Sequence, residues 1–158
     1  MDQNYKISEL DPGALEQALD LVWKTFLVFE APDYTDEGVQ EFKKYIEPCA
    51  IAKKLADKEL KIWTCRYGGE IVGVIAANGS ICHINLLFVD SEHHRKGIAR
   101  SLVESAINHY KEHTDFRELT VNSSPYAVPA YHRLGFVDTA AETTQNGLTF
   151  IPMEKNIG

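Results

Sequence analysis

The sequence predicts an α+β fold, and three observations carry that prediction. Residues 60–89 read as three successive strands, with Gly68-Gly69 as a hairpin turn and Asn78-Gly79 as a second turn. Ahead of them, Leu15, Ala18, Leu19, Val22 and Phe26 recur at helical spacing. Residues 81–110 then pass from an apolar strand, through a basic hinge containing Gly97, into an amphipathic helix marked by Ala99, Leu102, Val103, Ala106, Ile107 and Tyr110. At 158 residues the chain suits one domain with a proper core and is short for two.

Residues 5–10 read as a short first strand. Asp11 before Pro12 reads as a cap with proline at the first helical position, and the helix that follows ends near Ala31-Pro32. Trp23 and Leu27 widen its apolar face, as for a helix packed on a sheet. Residues 33–37 form an acidic connector, and Thr35 or Asp36 caps a second helix that runs through Phe42, Tyr45 and Ile46 to Pro48. Residues 49–57 read as a further short helical piece. After the hinge helix come a strand over residues 117–122, a turn over 123–126, and a short helix over 127–134 stopped by Gly135. Phe136-Val137 and residues 148–151 read as a last hairpin joined by the polar stretch 142–147, with Pro152 marking an edge position or bulge.

Composition bounds the function. A formal charge of −7 argues against a generic binder of nucleic acid or anionic membrane. No apolar run reaches the length of a membrane span, and the N-terminus lacks the apolar core of a signal peptide. Cys49, Cys65 and Cys82 are odd in number and widely spaced, the pattern of reduced cytoplasmic thiols. His109 and His113 stand four apart on a helix, but no neighbouring carboxylate or cysteine completes a metal set.

The hinge is the most informative stretch. Glycine at position 97 lets the backbone approach a ligand closely, and the first turn of the following helix aims unpaired N–H groups outward. Arg95 and Lys96 stand beside them, so the junction suits a phosphate or pyrophosphate. The local alternative is a tight turn with two solvated cations. Neither the Walker A run nor the G-x-G-x-x-G dinucleotide fingerprint is present.

His94-Arg95-Lys96-Gly97-Ile98-Ala99 resembles the acyl-CoA loop of the GNAT N-acetyltransferase superfamily, in which Gln or Arg is followed after two residues by Gly and then, one residue on, by Gly or Ala. The one departure is His94 at the first position. Residues 127–136, Ala-Val-Pro-Ala-Tyr-His-Arg-Leu-Gly-Phe, resemble a second segment of that family, A-x-x-x-Y-x-K/R-x-G-F. The resemblance covers residues 60–155. It implies an αβα-layered fold whose mixed, mostly antiparallel sheet has helices on both faces and splays between the central strand and the next. It also implies acetyl-CoA as cosubstrate, no metal, and acetyl transfer to a primary amine by direct attack in a ternary complex.

The resemblance assigns the pyrophosphate cradle to the backbone of His94, Arg95, Lys96, Gly97, Ile98, Ala99 and Arg100. It assigns the oxyanion donor and pantetheine pairing to main chain near Leu87, Phe88 and Val89, where the family's strand carries a bulge. Asn122 and Ser124 fall where a polar residue touches the pantetheine arm or ribose-phosphate end of CoA, although Ser124 equally suits a helix cap. Tyr131 matches the family's tyrosine. Full proton transfer from a phenol to a thiolate is uphill by about 2 kcal/mol at reference values, so hydrogen bonding to the departing sulfur is its expected role. For the base, the sequence leaves His83, Glu30 and a water chain open. By period two His83 shares a face with Asn85 and Leu87.

The resemblance also implies that the first two helices and their connector wall the acceptor site. There Phe29, Glu30, Asp33, Tyr34, Asp36 and Glu37 suggest a small cationic amine such as a polyamine, amino sugar or lysine-like amine. A protein or peptide amine is the alternative acceptor, and a non-catalytic CoA-binding sensor or an interaction domain the alternative roles. The sequence is compatible with a monomer or a homodimer.

Overall fold

The structure, a computed structural model, describes residues 2–158. Strand β1 (Tyr5–Glu9) is followed by a short 3-10 turn and by helix α1 (Leu15–Phe29). Asp11 begins that turn as expected, but through its carbonyl, which accepts from Ala14 N at 2.9 Å, and not through its side chain. Helix α2 (Asp36–Tyr45) is capped by Thr35, whose hydroxyl accepts from Gly38 N at 3.2 Å. Pro48 does not merely close α2; it opens a third helix, α3 (Pro48–Ala56), as the first-turn position allows. Strands β2 (Leu60–Tyr67), β3 (Glu70–Asn78) and β4 (His83–Val89) form an antiparallel meander. Helix α4 (Ile98–His113), strand β5 (Glu118–Ser123) and helix α5 (Val128–Arg133) complete the expected order.

The C-terminal end differs from the predicted hairpin. Three strands are present: β6 (Val137–Asp138), β7 (Thr143–Gln145) and β8 (Leu148–Asn156). Asn146 and Gly147, both at positive φ (53° and 77°), form a two-residue turn between β7 and β8. Val137 therefore faces Glu154, near the far end of β8, and not the stretch 148–151. Pro152 is not on an edge strand either. β8 runs along β5 on one side, and Pro152 sits between the stretches that β6 and β7 occupy on the other.

The sheet order is β1-β2-β3-β4-β5-β8-β6, with β7 paired to β8. All pairings are antiparallel except β4–β5, which is parallel and short: His83 faces Thr120 and Ile84 faces Val121. Beyond these two pairs the strands diverge, which is the predicted splay.

Two apolar layers hold the sheet. Phe26, Val22, Ile51 and Phe88 pack on the face covered by α1, α2 and α3, where Phe26 stacks on Phe42 with centroids 3.9 Å apart. Leu102, Ala106, Tyr110 and Phe136 fill the opposite face. Each such fully buried large side chain contributes roughly 1.5–3 kcal/mol. Tyr110 also fixes the β3–β4 turn by donating its hydroxyl to Asn78 O at 2.6 Å.

A backbone clasp joins the β7–β8 turn to α2. A Cβ on Gly38 would collide with the Gly147 carbonyl, and one on Gly147 would collide with Thr35 Oγ1. Only paired glycines allow this approach. It fixes the hairpin across the open end of the splay.

Candidate active site

The splay holds two adjoining cavities. The first, of about 460 Å³, follows the hinge loop and is walled by residues 93–95 and 97–100, by Phe29, and by α5. The second, of about 360 Å³, lies between α2, β4, β5 and the β7–β8 hairpin. Glu30, Leu87, Phe88, Ala127 and Tyr131 line both. These five residues mark the passage between the cavities.

The hinge geometry follows from its sequence. Gly97 takes φ 81° as the N-cap of α4, and Arg95 takes φ 62°. A non-glycine residue in that region stores strain of about 1–3 kcal/mol, a cost found characteristically at ligand loops. The first intrahelical bond runs from Ser101 N to Gly97 O at 3.1 Å, so the amides of Ile98, Ala99 and Arg100 point out of the helix end. A Cβ on Gly97 would meet nothing within 4 Å, leaving the loop open to a ligand. The residues present thus fit an anionic group such as a pyrophosphate. Lys96 is exposed and does not line the cavity. His94 turns its side chain inward, with Nε2 donating to Val89 O at 2.8 Å and its ring against Phe29. Arg100 donates to Arg133 O at 3.0 Å, tying the loop helix to α5.

The bulge of β4 lies at Asn85, ahead of the stretch expected to carry it. Ala76 faces Leu86 while Ala77 faces Ile84, so Asn85 is the extra residue. Its side chain leaves the ladder to donate from Nδ2 to Tyr45 Oη at 3.0 Å. The extra residue reverses the alternation. Ile84 packs on the α4 side, yet Leu86 and Phe88 pack on the α1 side, and Leu87 and Val89 pack on the α4 layer. His83 therefore does not share its face with Leu87. Period two held only up to the bulge.

Glu30 and Tyr131 meet at the passage. Glu30 follows the last residue of α1, its amide donating to Phe26 O at 2.9 Å. Burial pushes its carboxyl up to about 7, against a hydrogen bond from Ser124 and with a smaller push from the Asp33 charge. Tyr131 is 6% exposed, and burial together with the Glu30 charge holds its phenol well above the ordinary value. Its ring lies edge-on to Phe136 at 5.3 Å, so one residue serves the core and the passage.

Asn122 and Ser124 line the hairpin cavity. Ser124 Oγ accepts from Ala127 N at 3.3 Å in the turn ahead of α5, whose N-cap is Ala127 with no side-chain cap, and Ser124 also reaches Glu30. His83 lies where β4 and β5 still pair and lines only the hairpin cavity. Thr120 Oγ1 donates to Cys82 O at 3.1 Å, so it accepts from His83 Nδ1 at 2.7 Å. Burial lowers the His83 pKa.

The acidic wall is not the expected one. Glu30 and Tyr34 line the hairpin cavity, but Asp33, Asp36 and Glu37 line neither. Asp36 and Glu37 occupy the first turn of α2, where negative charge complements the helix end. Glu41, Phe42 and Tyr45 face the cavity in their place. Among the described residues, no group of three or more His, Cys, Asp or Glu is placed to hold a metal ion, and no helix is long and apolar enough to cross a membrane.

Comparison with known proteins agrees with this geometry. Residues 30–157 match the family model described as acetyltransferase (GNAT) domain. The uncharacterized N-acetyltransferase YafP of Escherichia coli (strain K12) is 26% identical over 133 residues, covering 84% of this chain and 81% of that protein. The PaiA N-acetyltransferase of Thermoplasma acidophilum, solved with coenzyme A, superimposes with a TM-score of 0.80 at 15% identity, covering 99% of both chains. An aminoglycoside 6′-N-acetyltransferase, also solved with coenzyme A, gives a TM-score of 0.65 at 16% identity over 97% of both chains. This chain belongs to the GNAT acetyltransferase family.

Proposed function

We propose that the protein transfers the acetyl group of acetyl-CoA to a small cationic primary amine, by direct attack in a ternary complex. The observation that carries this reading is the meeting of the two cavities at Glu30 and Tyr131. The loop cavity suits the cosubstrate, with the amides of Ile98, Ala99 and Arg100 facing its pyrophosphate. That both structural relatives described above were solved with coenzyme A supports the assignment. The hairpin cavity suits the acceptor.

In this reading Glu30 is the base. A carboxyl titrating near 7 is poised to take the ammonium proton at neutral pH, and among the two side chains considered only Glu30 reaches both cavities. The freed amine attacks the thioester carbonyl, whose developing charge is met by main-chain donors of the Leu87–Val89 stretch. Tyr131, its phenol held above the ordinary value by burial, donates a hydrogen bond to the departing sulfur. Ser124 positions Glu30. The Gly38–Gly147 clasp supports a small acceptor over a peptide, because it sets the hairpin as a wall across the cavity.

Thiol release from acetyl-CoA over a panel of small amines, peptide lysines and peptide N-termini tests this. Turnover with small amines is expected, and release with none of the panel would leave only CoA binding. Tyr131→Phe is expected to lower kcat by roughly 10- to 100-fold while acetyl-CoA affinity changes little, as for a group acting mainly in the transition state. An unchanged kcat would remove Tyr131 from the mechanism.

A further inference from the structure

A strained loop keeps its shape only where its surroundings fix it. Arg95, at φ 62°, is such a point, and the residues just ahead of it are pinned in turn. Asp90 Oδ1 accepts from Glu92 N at 3.0 Å, and its Oδ2 lies 3.6 Å from Lys24 Nζ on α1. His93 Nδ1 lies 2.9 Å from the Tyr5 hydroxyl on β1, and its ring stands 5.6 Å from Tyr5 and 5.3 Å from Tyr67. These contacts moor the stem of the loop to α1 and to the outer strands. His94 reaches the splay instead.

Asp90 N donates to Val72 O on β3 at 2.8 Å. By the alternation of a strand, the N–H and C=O of Val89 therefore point to the opposite edge of β4, the edge that faces β5. The β4–β5 ladder ends at Ile84, so near Val89 that edge opens on the splay. His94 Nε2 donates to Val89 O there, at 2.8 Å. The same ring lies 5.4 Å from Phe29, and Phe29 lies 5.0 Å from Tyr126, just ahead of α5. His94, Phe29 and Tyr126 all line the loop cavity. One side chain thus links the hinge loop, the open edge of β4 and the end of α1 beside Glu30.

We infer that His94 is a positioning residue of the acyl-CoA site, holding the hinge loop against the open edge of β4 before the cosubstrate arrives. This inference rests on the acyl-CoA reading above and adds the residue that shapes its loop. His94 is the one departure from the loop pattern noted in the sequence, and its role here follows from the Val89 contact. It touches no reacting atom and acts through the main chain of Val89 and of the loop. A cradle already in shape spares the ordering cost that binding otherwise carries. His94 therefore contributes to acetyl-CoA affinity and not to the acyl-transfer step.

The test measures acetyl-CoA affinity by isothermal titration, and KM and kcat by thiol release, in the wild type, His94→Ala and His94→Gln. His94→Ala is expected to bind acetyl-CoA roughly 3- to 10-fold more weakly, the scale of one hydrogen bond, with kcat at saturating acetyl-CoA close to wild type. His94→Gln, whose amide can donate to the same carbonyl, is expected to recover most of that loss. An unchanged or tighter affinity in His94→Ala, a loss confined to kcat, or no recovery in His94→Gln would overturn the inference while leaving acyl-CoA binding intact. A wild type that binds no acetyl-CoA would overturn the reading beneath it as well. Nuclear magnetic resonance of the wild-type imidazoles supplies a readout that needs no variant to fold. His94 Nε2 is expected to keep its proton and its bond to Val89 O in the free protein and in the acetyl-CoA complex. Loss of that bond on binding would mean that the ligand displaces it, and would overturn the positioning role.

Discussion

Glu30→Gln is expected to lower kcat by roughly 100- to 10,000-fold, the range that a positioned general base contributes. The amide is nearly isosteric and can still meet Ser124, so the loss reports proton transfer and not collapse of the passage. The pH–rate profile carries the sharper signature. With the Glu30 carboxyl at about 7, the wild-type rate rises with pH through that region as the base ionises. The variant should lack that limb.

Stability is expected to move the opposite way. A carboxyl whose folded pKa lies above its unfolded value binds more protons when folded, so its protonated state favours the fold. The stability it supports is fully present below about 4.5 and falls as pH rises towards about 7. Above that, the charged carboxylate is a continuing cost, and Glu30→Gln should melt higher than the wild type at pH 8. A variant that is slower and yet more stable at alkaline pH is the pattern of a residue strained for function. An unchanged rate, with its pH limb retained, would return the base to His83 or to water.

Gly97→Val is the second large effect. At φ 81° a β-branched residue is forced into a left-handed conformation that costs about 1–3 kcal/mol, and its methyl groups enter the open space over the loop. Acetyl-CoA affinity is expected to fall by roughly 10- to 100-fold, on the scale of that strain plus lost backbone contact. Gly97→Ala, with strain but little bulk, should fall between. Isothermal titration with acetyl-CoA distinguishes these cases, and a normal affinity for Gly97→Val would remove the loop as the cradle.

The sequence disclosed the loop because its chemistry is local. Gly97, the flanking cations and the helix start all lie within a few residues, and so do the strand alternation and turns of residues 60–89. What it concealed depended on residues far apart in the chain. Glu30 and Tyr131 share the passage only because α1 and α5 close on opposite sides of the splay. The bulge at Asn85 left no mark in an apolar run, and it inverted the face assigned to His83. Counting acidic residues in the first connector found Asp36 and Glu37, which serve the helix end, and missed Glu41 one turn on. One missed signal was available: Asn146-Gly147 is a two-residue hairpin pair, and it would have separated β7 from β8.

The most direct test of the account is thermal unfolding of the wild type titrated in parallel with acetyl-CoA, CoA and ATP. A ligand at about 100 times its Kd adds roughly 2.7 kcal/mol, a rise of about 5–10 °C for a chain of this size. Acetyl-CoA and CoA are predicted to give that rise, and ATP, which lacks a pantetheine arm, to give far less. No shift with either CoA species would contradict the central claim that the splay is an acyl-CoA site.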